Sequence, residues 1–267
     1  MRIFPAARPL ARLSAVALLL ALGQRSYAPP PIITGDVPIA DVGRFELYTG
    51  FRYQETSRVQ RQMPHVELVY GFTDRWEASV EANYLSRAGR NGFDDLTLAT
   101  KVVLAVETPT RPMLGASYEL KLDNGDAERG LGSGGFEHEF RLRAQKTFGW
   151  FTPIVNAGYV FVPDAEIAGA RAPRQDVWRA SCAQEWQVAK WTKLLTEIYW
   201  RTADEPREPH RLGWNAGFKH RLRDSLSVHA AVGESLRDGN RGGPDLRVYA
   251  GLKWEFDAPW KGKATSP

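Results

Sequence analysis

From residue 43 to residue 256 the chain is patterned with a period of two, and no other feature limits its possible folds so much. In "RWEASVEANYL", Arg75 to Leu85, the residues Trp76, Ala78, Val80, Ala82 and Tyr84 alternate with Glu77, Ser79, Glu81 and Asn83. Successive side chains of an extended chain point to opposite faces, so this alternation specifies a strand with one apolar and one polar face. Twelve segments carry the pattern, over 43–54, 63–72, 75–85, 94–107, 112–122, 136–147, 150–162, 176–187, 191–202, 211–222, 225–235 and 244–256. In the last of these Leu246, Val248, Ala250, Leu252, Trp254 and Phe256 oppose Arg247, Lys253 and Glu255. Long helical periodicity and internal repeats are absent.

The links between these segments decide which face meets water. Short ones, "TD", "ETPTRP", "FGW", "AK" and "RD", alternate with long ones rich in glycine and charge: "ETSRVQRQ", "SRAGRNGF", "DNGDAERGLGSGG", "PDAEIAGARAPRQD", "ADEPREPH" and "RDGNRGGP". A soluble sandwich has no reason to sort its loops by parity, whereas an outer-membrane barrel has tight periplasmic turns and longer external loops. Aromatic residues gather at strand ends. Phe72, Trp76, Phe148, Trp150, Phe151, Trp186 and Trp191 flank the short links, Trp254 and Phe256 end the last strand on that side, and Tyr53, Tyr84, Phe161, Trp178, Trp200 and Trp214 lie toward the long ones. Two such girdles mark the two membrane–water interfaces. The expected fold is all-β, a transmembrane antiparallel up-and-down barrel of about 12 strands, with its apolar face toward lipid and its polar face toward the lumen.

The ends fit an exported protein. Arg2, Arg8 and Arg12 precede a short apolar run, Leu13 to Leu22, and "SYA" at 26–28 has the form of a cleavage site, so residues 1–28 read as a signal peptide. Pro29 directly after the cut would hinder the peptidase, which shifts the expected cut by a few residues. A proline-rich segment follows over 29–42, then the barrel over 43–256 and a tail over 257–267. The proline-rich segment can form neither a helix nor a central strand, and either hangs in the periplasm or folds into the lumen as a small plug. The signal holds four of the 35 basic residues and none of the 31 acidic ones, so the remaining chain carries 31 of each. A nucleic-acid role loses its support, because it needs a concentrated basic excess. The single cysteine, Cys182, excludes an internal disulfide and falls on the lipid-facing side. Beyond the signal no apolar run reaches the length of a spanning helix, so entry to a membrane requires a closed barrel.

The runs "PPPIITGDVPIADVGRFELYTGFRYQET", "PHVELVYGFTDRWEASVEANYLS" and "GFDDLTLATKVVL", with "NAGY" at 156–159, resemble the outer-membrane meta-pathway of phenol degradation family. The resemblance covers most of the mature chain and is most specific over 30–107; it departs at Asp94, where the family pattern "GFGD" has glycine. It implies a transporter-like barrel in the bacterial outer membrane and no catalytic residues.

The polar face supplies the candidate lumen lining: Glu46, Arg52, Glu67, Glu77, Glu81, Lys101, Glu119, Lys121, Glu137, Glu139, Arg141, Arg143, Glu197, Arg201, Lys219, Arg221, Arg247 and Lys253. Glu67, Glu77 and Glu81 lie on the second and third strands, and Lys219, Arg221, Arg247 and Lys253 on the last three. Barrel closure therefore places an acidic wall beside a basic one, a transverse field able to orient a polar solute. The same charges can instead pair and fill the interior. The histidines lack metal spacing and there is no G-x-S-x-G nucleophile motif, so no metal, cofactor or enzymatic activity is expected. The expected partners are outer-membrane lipid, lipopolysaccharide and a small-molecule solute. Three readings stand: a diffusion channel, a closed barrel with a binding or structural role through its external loops, and a secreted soluble β-sandwich or lectin.

Overall fold

The computed structural model describes residues 32–55, 60–87, 89–167, 170–205, 209–236 and 246–260. The signal peptide and most of the tail lie outside the described residues. The strands run in chain order as β1 (Arg44–Glu55), β2 (Gln60–Thr73), β3 (Trp76–Arg87), β4 (Arg90–Phe93), β5 (Thr97–Ala105), β6 (Met113–Lys121), β7 (Glu137–Gln145) and β8 (Phe151–Phe161). They continue as β9 (Ala165–Ile167), β10 (Ala170–Ala172), β11 (Val177–Ala189), β12 (Thr192–Arg201), β13 (Arg211–Arg223), β14 (Leu226–Ser235) and β15 (Leu246–Asp257).

Leaving aside the short β4, β9 and β10, twelve strands form one antiparallel sheet that closes on itself. The closing seam pairs β1 with β15 without a break, from Arg44 opposite Asp257 to Glu55 opposite Leu246. Closure removes every sheet edge, which is what a sheet spanning a membrane requires. No helix among the described residues is long and apolar enough to cross a membrane.

Burial along β7 shows the inversion directly. Glu137, Glu139, Arg141 and Arg143 are buried, while the alternating Phe140 and Leu142 are 57% and 62% exposed. A water-soluble protein buries the opposite set. Phe72 stacks on Trp76 at 4.4 Å near one rim, and Tyr159 meets Trp178 at 4.7 Å toward the other. Trp76 also donates its indole N–H to Thr100 Oγ1 at 2.7 Å, satisfying its one polar atom on the apolar face. Cys182 is exposed on the same outer face.

The short links stay tight. Gly149, in the turn before β8, has a φ of 61°, a conformation open to glycine without strain. The long links carry more structure than their composition suggests. The segment 94–107, expected as one strand, is broken at 94–96, and residues 163–176 contain the hairpin β9–β10. The break has a cause. Asp95 turns its carboxylate to accept hydrogen bonds from Gly125 N at 2.7 Å, Ser133 N at 2.7 Å, Ser133 Oγ at 2.6 Å and the Lys121 ammonium. One acidic side chain thereby ties the β6–β7 loop back to the rim of the barrel. These bonds and Lys121 together hold the Asp95 carboxyl below its usual range against the opposing effect of burial.

Candidate solute pathway and its internal strap

Residues 32–40 run inside the barrel, from about mid-height to the short-turn end. Proline at 38 and the absence of alternation exclude them from the sheet, so their backbone groups need partners other than a strand. The wall supplies side chains instead. Glu197 accepts from Ile33 N, Thr34 N and Thr34 Oγ1, each at 2.7 Å. Asn156 forms a two-way amide pair with Gly35, accepting from its N–H and donating to its carbonyl, both at 2.9 Å. Gln145 accepts from Val37 N at 3.0 Å, and Glu77 from Ala40 N at 2.6 Å. Lys101 donates to Pro38 O at 2.6 Å and Arg143 to Asp36 O at 3.1 Å. The Arg143 guanidinium packs so close to Gly35 that a Cβ there would collide with it.

The strap also has apolar anchors. Ile32 nests among Ile154, Ala183, Leu195 and Ala231, inward-facing residues of four different strands. Ala40 packs with Tyr48 and Val69 near the rim. The lumen is thus less uniformly charged than its sequence suggests: an apolar floor sits at mid-height around Ile32.

Asp36 is the strap's only charged side chain between residues 32 and 40. Burial would raise its carboxyl, but Lys219, Lys101, Arg143 and Lys253 draw it down to about 2. Lys101 and Lys219 each lie 3.8 Å away. A depressed carboxyl stabilises the seated strap above its ordinary value of 3.8 and loses that contribution as pH falls toward 2. Bilayer recordings are therefore expected to show an increase in strap release between pH 4 and pH 2. Asp36→Asn should abolish this acid step; a step of unchanged size in the variant would assign it to other carboxylates.

Two chambers flank the strap. The larger, about 170 Å³, is bounded by Asp36, Pro38 and Ile39 of the strap and by Glu46, Glu67, Glu77, Glu81, Glu119, Lys101, Arg143 and Lys253 of the wall. The smaller, about 40 Å³, lies toward the long-loop end, beyond Ile33, and is lined by Arg141, Arg179, Arg201, Arg211 and Arg247. The lumen thus has an acid-rich chamber on one side of the strap and an arginine-lined one on the other.

The charges seen in sequence take unequal places. Glu77 pairs with Lys101 at 2.9 Å, Lys121 with Asp95, and Glu46 with Lys253 at 2.6 Å. Glu81 lies 3.7 Å from Arg52 and 3.2 Å from His65. Glu139 contacts Arg141 at 2.5 Å and Arg179 at 2.7 Å, and Glu119 lies within 3.8 Å of both Arg141 and Arg143. Glu137 binds Arg174 at 2.7 Å, Arg201 binds Asp204 at 2.8 Å, and Glu67 faces the larger chamber.

The basic wall differs from the expected one. Lys219 is bound by Glu185 at 2.7 Å and Lys253 by Glu46, so neither presents a bare charge. Arg221 is exposed at the rim, with its guanidinium 5.5 Å from the Trp191 ring centre. Of these four only Arg247 lines the arginine-rich chamber, 5.3 Å from the Tyr199 ring, where it joins Arg141 and Arg201 of the expected lining. Sequence reasoning missed Arg179, Arg211, Asp36, Gln145 and Asn156. The first two follow the same alternation as Arg201 and were legible; Asp36, Gln145 and Asn156 gain their roles only through the strap.

A closed twelve-stranded barrel with an apolar outside, aromatic rims and a charged interior defines a channel-like β-barrel of the outer-membrane type. The chain belongs to the family described as "Putative MetA-pathway of phenol degradation", whose model matches residues 35–247. No curated protein matches it. Among solved structures it is similar to the COG4313 outer membrane channel from Pseudomonas putida F1, at 16% identity and a TM-score of 0.72, covering 85% of this chain and all of that one. It is also similar to the NanC porin, at 9% identity and a TM-score of 0.56, over 79% of this chain and 98% of that one. The KdgM porin aligns at 10% identity and a TM-score of 0.53, over 78% and 99%.

Proposed function

We propose that the protein is a bacterial outer-membrane channel that passes a small polar or aromatic solute by diffusion, and that its internal strap sets whether the path is open. The short turns then face the periplasm and the long loops, with lipopolysaccharide around them, face outward. The observation that carries this reading is how the strap is held. Its backbone is bound by side chains of at least five wall strands rather than by a strand ladder, with chambers on both sides. Side-chain contacts of this kind can be exchanged for water one by one, whereas a thirteenth strand would have to be unzipped. The charged residues lining the path act on the solute, not on a reaction.

The contending reading, a closed barrel acting through its external loops, draws support from the density of ion pairs inside. Planar bilayers separate the two. Removing residues 29–40 should give a steady conductance several-fold above that of the full mature chain, because the strap occupies the centre of the bore. A truncated barrel that folds and stays silent would leave the closed reading standing.

A further inference from the structure

We infer that the smaller chamber is a binding subsite for an oxyanion, of the size and chemistry of a single carboxylate head group. This inference rests on the channel reading for its biological sense but not for its test. Five arginines line the chamber, together with apolar surface, and no carboxylate does. The nearby acids are shared: Glu139 serves both Arg141 and Arg179, and Asp204 serves both Arg201, at 2.8 Å, and Arg211, at 3.9 Å. Guanidinium groups are matched to a planar, bidentate acceptor.

A second, independent feature points to the same ligand. Gln54, 1% exposed, lines the chamber, and neither its amide nitrogen nor its amide oxygen has a hydrogen-bond partner. The hydroxyl of Tyr199, a residue 7% exposed, also lines it and is also without a partner. Buried polar groups normally find partners, and leaving one unmet costs about 1–3 kcal/mol. A small shift of either side chain would offer an acceptor oxygen in the chamber the Tyr199 O–H or the Gln54 N–H. The volume of about 40 Å³ holds a head group but not a whole aromatic acid. A larger solute would place its carboxylate here and its body toward the long loops. Ile33 borders the same chamber, so an occupied subsite lies directly against the strap.

The test is calorimetric or NMR titration of the folded full-length mature barrel in detergent with sodium acetate at constant ionic strength. The expected result is saturable binding that ammonium does not compete with, and that weakens about tenfold in a Gln54→Leu, Tyr199→Phe double variant, the loss expected when two donors are removed. Arg247→Gln provides a second variant should the first fail to fold. Absence of saturable binding to the wild type would mean that the chain neutralises these arginines itself, and would overturn the proposal. So would binding unchanged in the folded variants. Because the readout is binding, a barrel that never conducts can still confirm the subsite, and a conducting barrel can still refute it.

Discussion

Replacing Arg141 and Arg143 together by glutamate is expected to destabilise the barrel by about 3–5 kcal/mol, the range for stranding buried charge. Arg141 donates to Glu139 from Nε at 3.0 Å and from its terminal nitrogen at 2.5 Å. Arg143 donates to Ser117 at 2.9 Å and lies 3.6 Å from Glu119. The double variant would remove two cations and add two carboxylates beside Glu119 and Glu139. The 170 Å³ chamber next to Arg143 lets solvent relieve part of this repulsion, which favours the lower end of the range. The measurement is the temperature at which the unheated, fast-migrating gel form of the folded barrel converts to the slow one. A variant as heat-resistant as the wild type, with its reversal potential moved toward cations, would show an interior wet enough to screen these charges.

Arginine at Val80 should cost about 2–4 kcal/mol near the bilayer midplane, whereas arginine at Ser79 should be far milder. The two positions are neighbours in sequence and sit on opposite faces. Val80 lies between Leu68 and Leu98 on the adjacent strands, among side chains that meet lipid. Ser79 lines the larger chamber with Glu67 and Glu81, where a cation finds acceptors. Equal costs in denaturant unfolding of the barrel in detergent or lipid would reverse the facing of β3, and with it the whole interior.

What the sequence made legible is what depends on the solvent outside. Lipid demands an unbroken apolar stripe, so the period of two, the aromatic rims and the parity of the links are all visible along the chain. The strand boundaries follow within a few residues for the same reason. Partners across the lumen are less visible, because an interior charge can be satisfied by any wall it reaches. Glu185 is an example: nothing local marks it as the partner of both Lys193 and Lys219, each at 2.7 Å. The strap was legible only as a segment excluded from the sheet. Its seat depends on Asn156, Gln145 and Glu197, which lie more than a hundred residues away in sequence. The run is interrupted between β4 and β5 because Asp95 binds a loop, and loop contacts leave no periodic trace.

The strap is joined to the barrel wall by a very short leash. Ala40 is bound by Glu77, and Val42 already bridges to Gly71 of β2, whose carbonyl also accepts from Gly43 N at 2.7 Å. Whatever frees residues 32–39 therefore leaves them swinging from a hinge at the mouth rather than lost to solution. Reclosure is then unimolecular, at a local concentration in the millimolar range that short tethers typically provide. A free peptide of the same sequence would have to reach that concentration to compete. Open and closed dwell times should accordingly be independent of how much protein is in the membrane, and each copy should gate alone.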